Sequence, residues 1–136
     1  MRYVVLDTNC LLQALPTKSR YHKIWTDFMD GKYILCVSNE ILTEYEEILS
    51  EHASPEVATN IVEAIARHPK VYYCESHFRF RLLHDIDKDD DKFVDCAIAS
   101  NADYIVTEDS HFNHLKHIPF PQLVVLSLDE FYNSLV

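Results

Sequence analysis

Five acidic side chains stand where acids can do chemistry. Asp7 directly follows a short apolar run, Tyr3–Leu6, and Asp109 follows a second, Tyr104–Val106, after Thr107-Glu108. Glu44 lies two turns into the helical stretch after a third run, Tyr33–Val37. On a helical wheel it falls on the border of the apolar stripe, about 100° from its centre, where it can look over a sheet edge. Asp91 and Asp95 are spaced i, i+4 on an otherwise apolar helix and so share a face. Two like charges there are unfavourable unless a cation or a proton neutralises them. Carboxylates without Cys or clustered His suit a hard cation, Mg²⁺ or Mn²⁺, better than Zn²⁺. Such a site can activate water and neutralise charge on a phosphodiester.

Each acid also has a plainer reading. Asp7 can be a helix N-cap, Glu44 a solvated helix residue, and Asp91 an acid favoured by its helix dipole. Asp95, a full turn inside, is harder to explain that way. Asp85, Asp87, Asp89 and Asp90 read as a solvated acidic loop, and His111, His114 and His117 as surface imidazoles. Ser38 and Ser110 have no evident nucleophile setting.

These acids need a scaffold, and alternating patterns supply one. Strands are expected at Tyr3–Leu6, Tyr33–Val37, Val71–Cys74, Tyr104–Val106 and Leu123–Leu126. Helices are expected over Cys10–Ala14 (capped by Thr8 or Asn9), Ser19–Asp30, Asn39–Glu51 behind Ser38, a stretch opened by Ser54-Pro55, Asp91–Ala102 and Asp129–Leu135. His111–His117 reads as a short turn or helix, and Glu75–Asp90 as a polar loop. Strands alternating with helices favour one α/β domain with a parallel sheet covered on both faces. In such sheets ligands bind beyond the carboxyl ends of the strands, where Asp7 and Asp109 fall.

The length of 136 residues suits one domain, 1–136, and 48% hydrophobic residues exclude a disordered chain. The single glycine, Gly31, excludes phosphate cradles of the P-loop or dinucleotide-binding kind, which need several. With 12 Lys+Arg against 22 Asp+Glu the net charge is −10, which argues against a general electrostatic grip on nucleic acid. Cys10, Cys36, Cys74 and Cys96 form no C-x-x-C and read as buried hydrophobes in a reducing compartment. Asp7 interrupts the N-terminal apolar run too early for a signal-peptide core, and no run approaches the roughly 20 residues of a membrane span. A cytoplasmic protein is the expectation.

The acids also fall into motifs. The chain resembles the PIN-domain family, and within it the toxin-like ribonucleases of bacterial toxin–antitoxin systems. Val4-Val5-Leu6-Asp7-Thr8-Asn9 resembles the family's opening strand ending in Asp-Thr-Asn/Ser. Ser38-Asn39-Glu40-Ile41-Leu42-Thr43-Glu44 resembles its second motif, a Ser before a helix bearing the second acid. Asp91-Lys92-Phe93-Val94-Asp95, followed by Ala102-Asp103 and Thr107-Glu108-Asp109, resembles the longest. The resemblance covers essentially the whole chain. It implies a central parallel sheet of about five strands between helices. It maps the metal-binding and catalytic acids to Asp7, Glu44, Asp91 and Asp109, with Asp95 as a fifth ligand. Thr8, Asn9, Ser38 and Thr107 match the polar residues that position acids or water. It further implies Mg²⁺- or Mn²⁺-dependent cleavage of single-stranded RNA, a cognate antitoxin partner and a homodimer. Glu108 departs from the family's small residue.

Candidate RNA contacts are Lys18, Arg20, Lys23, Arg79, Arg81, Lys88 and Lys92, with scattered solubilising charge as the alternative. Three other functions fit the residues less fully. A non-catalytic RNA- or partner-binding module could share the fold. A haloacid-dehalogenase-like phosphatase wants an Asp where Asn9 stands. A zinc module would be built on the histidines.

Overall fold

The computed structural model describes residues 1–74, 91–117 and 123–136. Five strands, β1 (Tyr3–Leu6), β2 (Ile34–Val37), β3 (Val71–Tyr73), β4 (Tyr104–Val106) and β5 (Val125–Leu126), form one sheet in the order β3-β2-β1-β4-β5. All four pairings are parallel; β1 sets Tyr3 against Ile34 on one side and Val4, Val5 and Leu6 against Tyr104, Ile105 and Val106 on the other. Val4, Val5 and Leu6 point alternately to opposite faces, yet all are at most 2% exposed. The sheet is therefore covered on both faces, as its unbroken apolar strands require. Each such side chain contributes about 1.5–3 kcal/mol of hydrophobic stabilisation.

The helices are α1 (Thr8–Ala14), α2 (His22–Met29), α3 (Asn39–His52), α4 (Pro55–Arg67), α5 (Asp91–Ser100) and α6 (Leu128–Leu135), with a 3₁₀ segment over Ser110–His117. Two begin where local chemistry says they should. The Ser38 hydroxyl accepts from the Ile41 N–H and the Ser54 hydroxyl from the Val57 N–H, each satisfying an orphan donor of a first turn.

Other boundaries differ from the sequence expectation for identifiable reasons. Helix α1 starts at Thr8 rather than Cys10, because the Asp7 carbonyl already accepts from the Leu11 N–H. Helix α2 starts at His22, since Ser19 is held in a turn by donating to the Gln13 carbonyl and accepting from the Tyr21 N–H. Gly31 follows this helix at φ +76°, a conformation that favours glycine. Helix α5 stops at Ser100, where Asn101 turns left-handed at φ 52°. β2 is a residue shorter at its start, β3 at its end, and β5 keeps only Val125–Leu126. Helix α6 gains Leu128 through a reciprocal capping box between Ser127 and Glu130.

The loop Glu75–Asp90, with Arg79, Arg81 and Lys88, lies outside the described residues, as does the His114 side chain. Among the described residues no helix is long and apolar enough to cross a membrane.

Candidate functional site

The strand order creates the site. From β1 the chain moves to β2 and β3 on one side of the sheet, and from β4 to β5 on the other. The C-terminal ends of β1 and β4 thus flank a topological switch point, where open parallel sheets bind ligands. Asp7 leaves β1 there, its N–H donating to the Val106 carbonyl at 3.0 Å. Thr107 and Asp109 leave β4 beside it.

Thr107 ties the two ends together. Its hydroxyl donates to Asp7 Oδ2 at 2.7 Å and accepts from the Asp109 N–H at 3.0 Å. Asp109 Oδ1 in turn accepts from the His111 N–H at 2.9 Å, with His111 Nδ1 at 3.4 Å. Loss of water around the partly buried Asp7 raises its carboxyl pKa above the ordinary 3.8. The Thr107 hydroxyl and the nearby Asn9 amide oppose that rise, while the charges of Glu44 and Asp109 add to it. Asp7 occupies the N-cap position of α1 without a side-chain cap hydrogen bond.

Glu44 arrives from α3. Beside it Tyr45 is fully buried and donates its hydroxyl to the Leu6 carbonyl, pinning α3 to the end of β1. Glu44 Oε2 accepts from the Thr8 hydroxyl, and Oε1 stands 2.9 Å from Lys92 Nζ on α5. Asp91 and Asp95 lie on α5, 7% and 3% exposed, and that helix packs on β1, β2, β4 and α3. Charges buried this fully need a partner of opposite sign or a proton.

Asp7, Glu44 and Asp109 therefore share one electrostatic field at the switch point, while Asp91 and Asp95 present buried acids from the adjoining helix. Thr8 and Thr107 touch the acids directly. Ser38 acts through the helix it caps, and the exposed Asn9 offers its backbone. Among the described residues, no three Asp, Glu, His or Cys side chains stand in the compact arrangement of a ready-made metal cage. The donor chemistry nonetheless fits a hard divalent cation, for every candidate ligand is a carboxylate.

Of the candidate RNA contacts, Lys92 stands at the site, Lys18 is exposed, and Arg20 pairs with Asp129 at 3.1 Å. Lys23 instead pairs with Asp27, also at 3.1 Å. Asp27 is 3% exposed and had no mark in the sequence beyond its i+4 spacing from Lys23. It lines a cavity of about 370 Å³ with Met1, Arg2, Lys32 and Phe131, at the end of the sheet where β1 begins. Glu108 turns away from the acids: its Oε1 accepts from the Leu128 N–H at 2.9 Å and so satisfies a first-turn donor of α6. All four cysteines are buried, and burial, with the charges of Asp7 and Glu108 nearby, pushes the Cys10 thiol well up. His111 and His117 are exposed.

The family model described as PIN domain matches residues 3–111. Among curated proteins no sequence matches this one. In fold the chain is similar to VapBC2 from Rickettsia felis, solved bound to a DNA fragment from their promoter, with a TM-score of 0.64 and 18% identity over 92% of this chain and 98% of that one. It is also similar to VapBC-1 from nontypeable Haemophilus influenzae, with a TM-score of 0.62 and 15% identity over 93% and 98% of the two chains. For VapC20 of Mycobacterium tuberculosis, a toxin that cleaves the sarcin-ricin loop, the TM-score is 0.58 and the identity 13%, over 81% and 92%. Identities this low speak to the fold.

Proposed function

The chain belongs to the PIN-domain family of nucleases, and from that premise we propose that it is a Mg²⁺- or Mn²⁺-dependent ribonuclease that hydrolyses phosphodiester bonds of single-stranded RNA. The observation that carries this reading is the convergence of Asp7, Glu44 and Asp109 on the switch point, where burial first, and then the charges of the other two, raise the Asp7 carboxyl pKa. Asp7, Glu44, Asp91 and Asp109 hold the ion, with Asp95 assisting.

A hard divalent ion supplies Lewis acidity there, making water a better nucleophile and offsetting charge on the phosphate. The protein supplies positions. Thr107 fixes one oxygen of Asp7, Thr8 fixes one oxygen of Glu44, and the His111 N–H fixes one of Asp109. Carboxylates held this way need little reorganisation when the substrate arrives. The likeness to VapBC structures supports a toxin role in the cytoplasm, restrained by a cognate antitoxin, with the chain acting as a homodimer.

The test incubates purified protein with single-stranded RNA in Mg²⁺, in Mn²⁺ and in chelator, beside Asp7→Asn. Cleavage that needs metal and fails in the variant is the expected result. Metal-independent cleavage, or equal cleavage by the variant, sinks the assignment. A non-catalytic binding module is the second reading, favoured by Lys92 on Glu44. Tight RNA or peptide binding without cleavage would promote it.

A further inference from the structure

A groove of about 560 Å³ opens beside Glu44. One wall is the face of α3 from Asn39 to Ile48, and Lys92 reaches in from α5. Three of the α3 side chains there are glutamates, Glu40, Glu44 and Glu47, and Lys92 is the one cation among the described lining residues. An RNA phosphate entering this groove meets three carboxylates, and Lys92 is the cation that can offset them.

Lys92 is built to serve that end. It follows Asp91 directly, so the two side chains diverge by about 100° around α5, and Lys92 reaches across to α3 while Asp91 stays buried. Its ammonium lies 5.5 Å from the Phe93 ring centroid and 2.9 Å from Glu44 Oε1. Its side chain is 15% exposed and that of Glu44 25%, so the pair is partly shielded yet open to exchange. A lysine is a compact charge on a flexible stem, able to move its head while the stem stays packed.

We propose that Lys92 is the resident cation of the acid site: it holds Glu44 until a divalent ion takes that carboxylate, and its ammonium then meets a phosphate of the RNA backbone. The inference rests on the ribonuclease reading for its second half and on the Lys92–Glu44 pair for its first. An ion bound by Glu44 shares that carboxylate with the Lys92 ammonium and repels it, so lysine and metal compete. RNA bound beside the ion needs a cation in a groove whose other charged side chains, among the described lining residues, are all carboxylates, so lysine and metal then cooperate.

Those opposite signs make the test. Mn²⁺ is titrated calorimetrically into wild type, Lys92→Met and Lys92→Arg without RNA, with melting curves confirming that each variant is folded. Lys92→Met is expected to bind Mn²⁺ about three- to tenfold more tightly, because the competing charge is gone, and Lys92→Arg no more tightly than wild type. On single-stranded RNA at saturating Mn²⁺, Lys92→Met is expected to lose about tenfold or more in kcat/KM, with partial recovery in Lys92→Arg. Unchanged or weaker Mn²⁺ binding by Lys92→Met, or undiminished cleavage by it, overturns the proposal. A wild type that takes up Mn²⁺ but cuts no RNA fails the ribonuclease reading instead, and the Mn²⁺ affinities alone then decide the hold of Lys92 on Glu44. A wild type that takes up no Mn²⁺ overturns both.

Discussion

Asp27 and Asp7 stand at opposite ends of the same sheet and do different things with the same carboxylate. Asp27 is buried, yet two lysines answer it, Lys23 at 3.1 Å and Lys32 at 3.9 Å. Asp7 is less buried but sits in the field of Glu44 and Asp109, and Lys92 at that cluster is engaged with Glu44. At one end charge is balanced by the chain itself, and the carboxylate holds α2 to the turn before β2. At the other, negative charge is gathered faster than the described side chains neutralise it. Burial alone does not mark a functional acid; an unbalanced local charge does.

The largest expected effect separates the two acids by activity. Asp7→Asn should lower RNA cleavage at saturating Mn²⁺ by about 100-fold or more, while Asp27→Asn stays within about twofold. Equal losses measured in one cleavage assay would break the contrast. Next is the response to metal. At about 100 times its dissociation constant, Mg²⁺ or Mn²⁺ should stabilise the wild type by about 2.7 kcal/mol in thermal melts. Asp27→Asn should keep that gain and Asp7→Asn should lose most of it. A wild-type Tm that ignores both ions would end the metal-site reading.

A smaller effect reverses the order. In chelator, Asp27→Ala should cost about 1–2 kcal/mol, below the roughly 3–5 kcal/mol of a fully buried broken pair, because Lys23 and Lys32 can turn to water. Asp7→Asn should instead raise the chelator Tm, since it removes a charge that burial and its neighbours disfavour.

The smallest effect is in pH. The raised pKa of Asp7 means that the folded state holds its proton more tightly than the unfolded one. Without metal, stability therefore falls as pH rises from the ordinary 3.8 through the raised folded value. Glu130 works oppositely: its bonds to the Ser127 backbone and hydroxyl lower its pKa, so its contribution is complete above 4.5 and fades as pH drops through the lowered value. Melts in chelator between about pH 3 and pH 7 should lose the first slope in Asp7→Asn and the second in Glu130→Gln.

Much of the frame was legible because its signals are local. The apolar run before Asp7, the Ser38 and Ser54 caps and the i, i+4 pair Asp91 and Asp95 are read within a few residues of chain. What failed was set by partners farther away or by a single dihedral. Nothing near Ser19 announces its bond to Gln13, and the apolar stretch through Ala102 masked the stop signal of Asn101, a residue that tolerates the left-handed turn it makes. Lys23 read as a candidate RNA contact because a lysine's sequence neighbours do not say which acid it will face; here it faces Asp27.

The sequence by itself determined the chemistry available: carboxylates after strands, too few glycines for a phosphate cradle, and apolar runs that must be buried on both faces. Those are properties of side chains and of short-range periodicity. Only the tertiary structure decided which of them meet. Thr107 and Asp7 are 100 residues apart and bond because β4 pairs with β1. Glu44 reaches the same point because Tyr45 fastens α3 to the end of β1, and Lys92 answers Glu44 because α5 packs against α3. Strand order and helix packing are settled by burial summed over the whole core, a quantity that no local stretch of sequence contains.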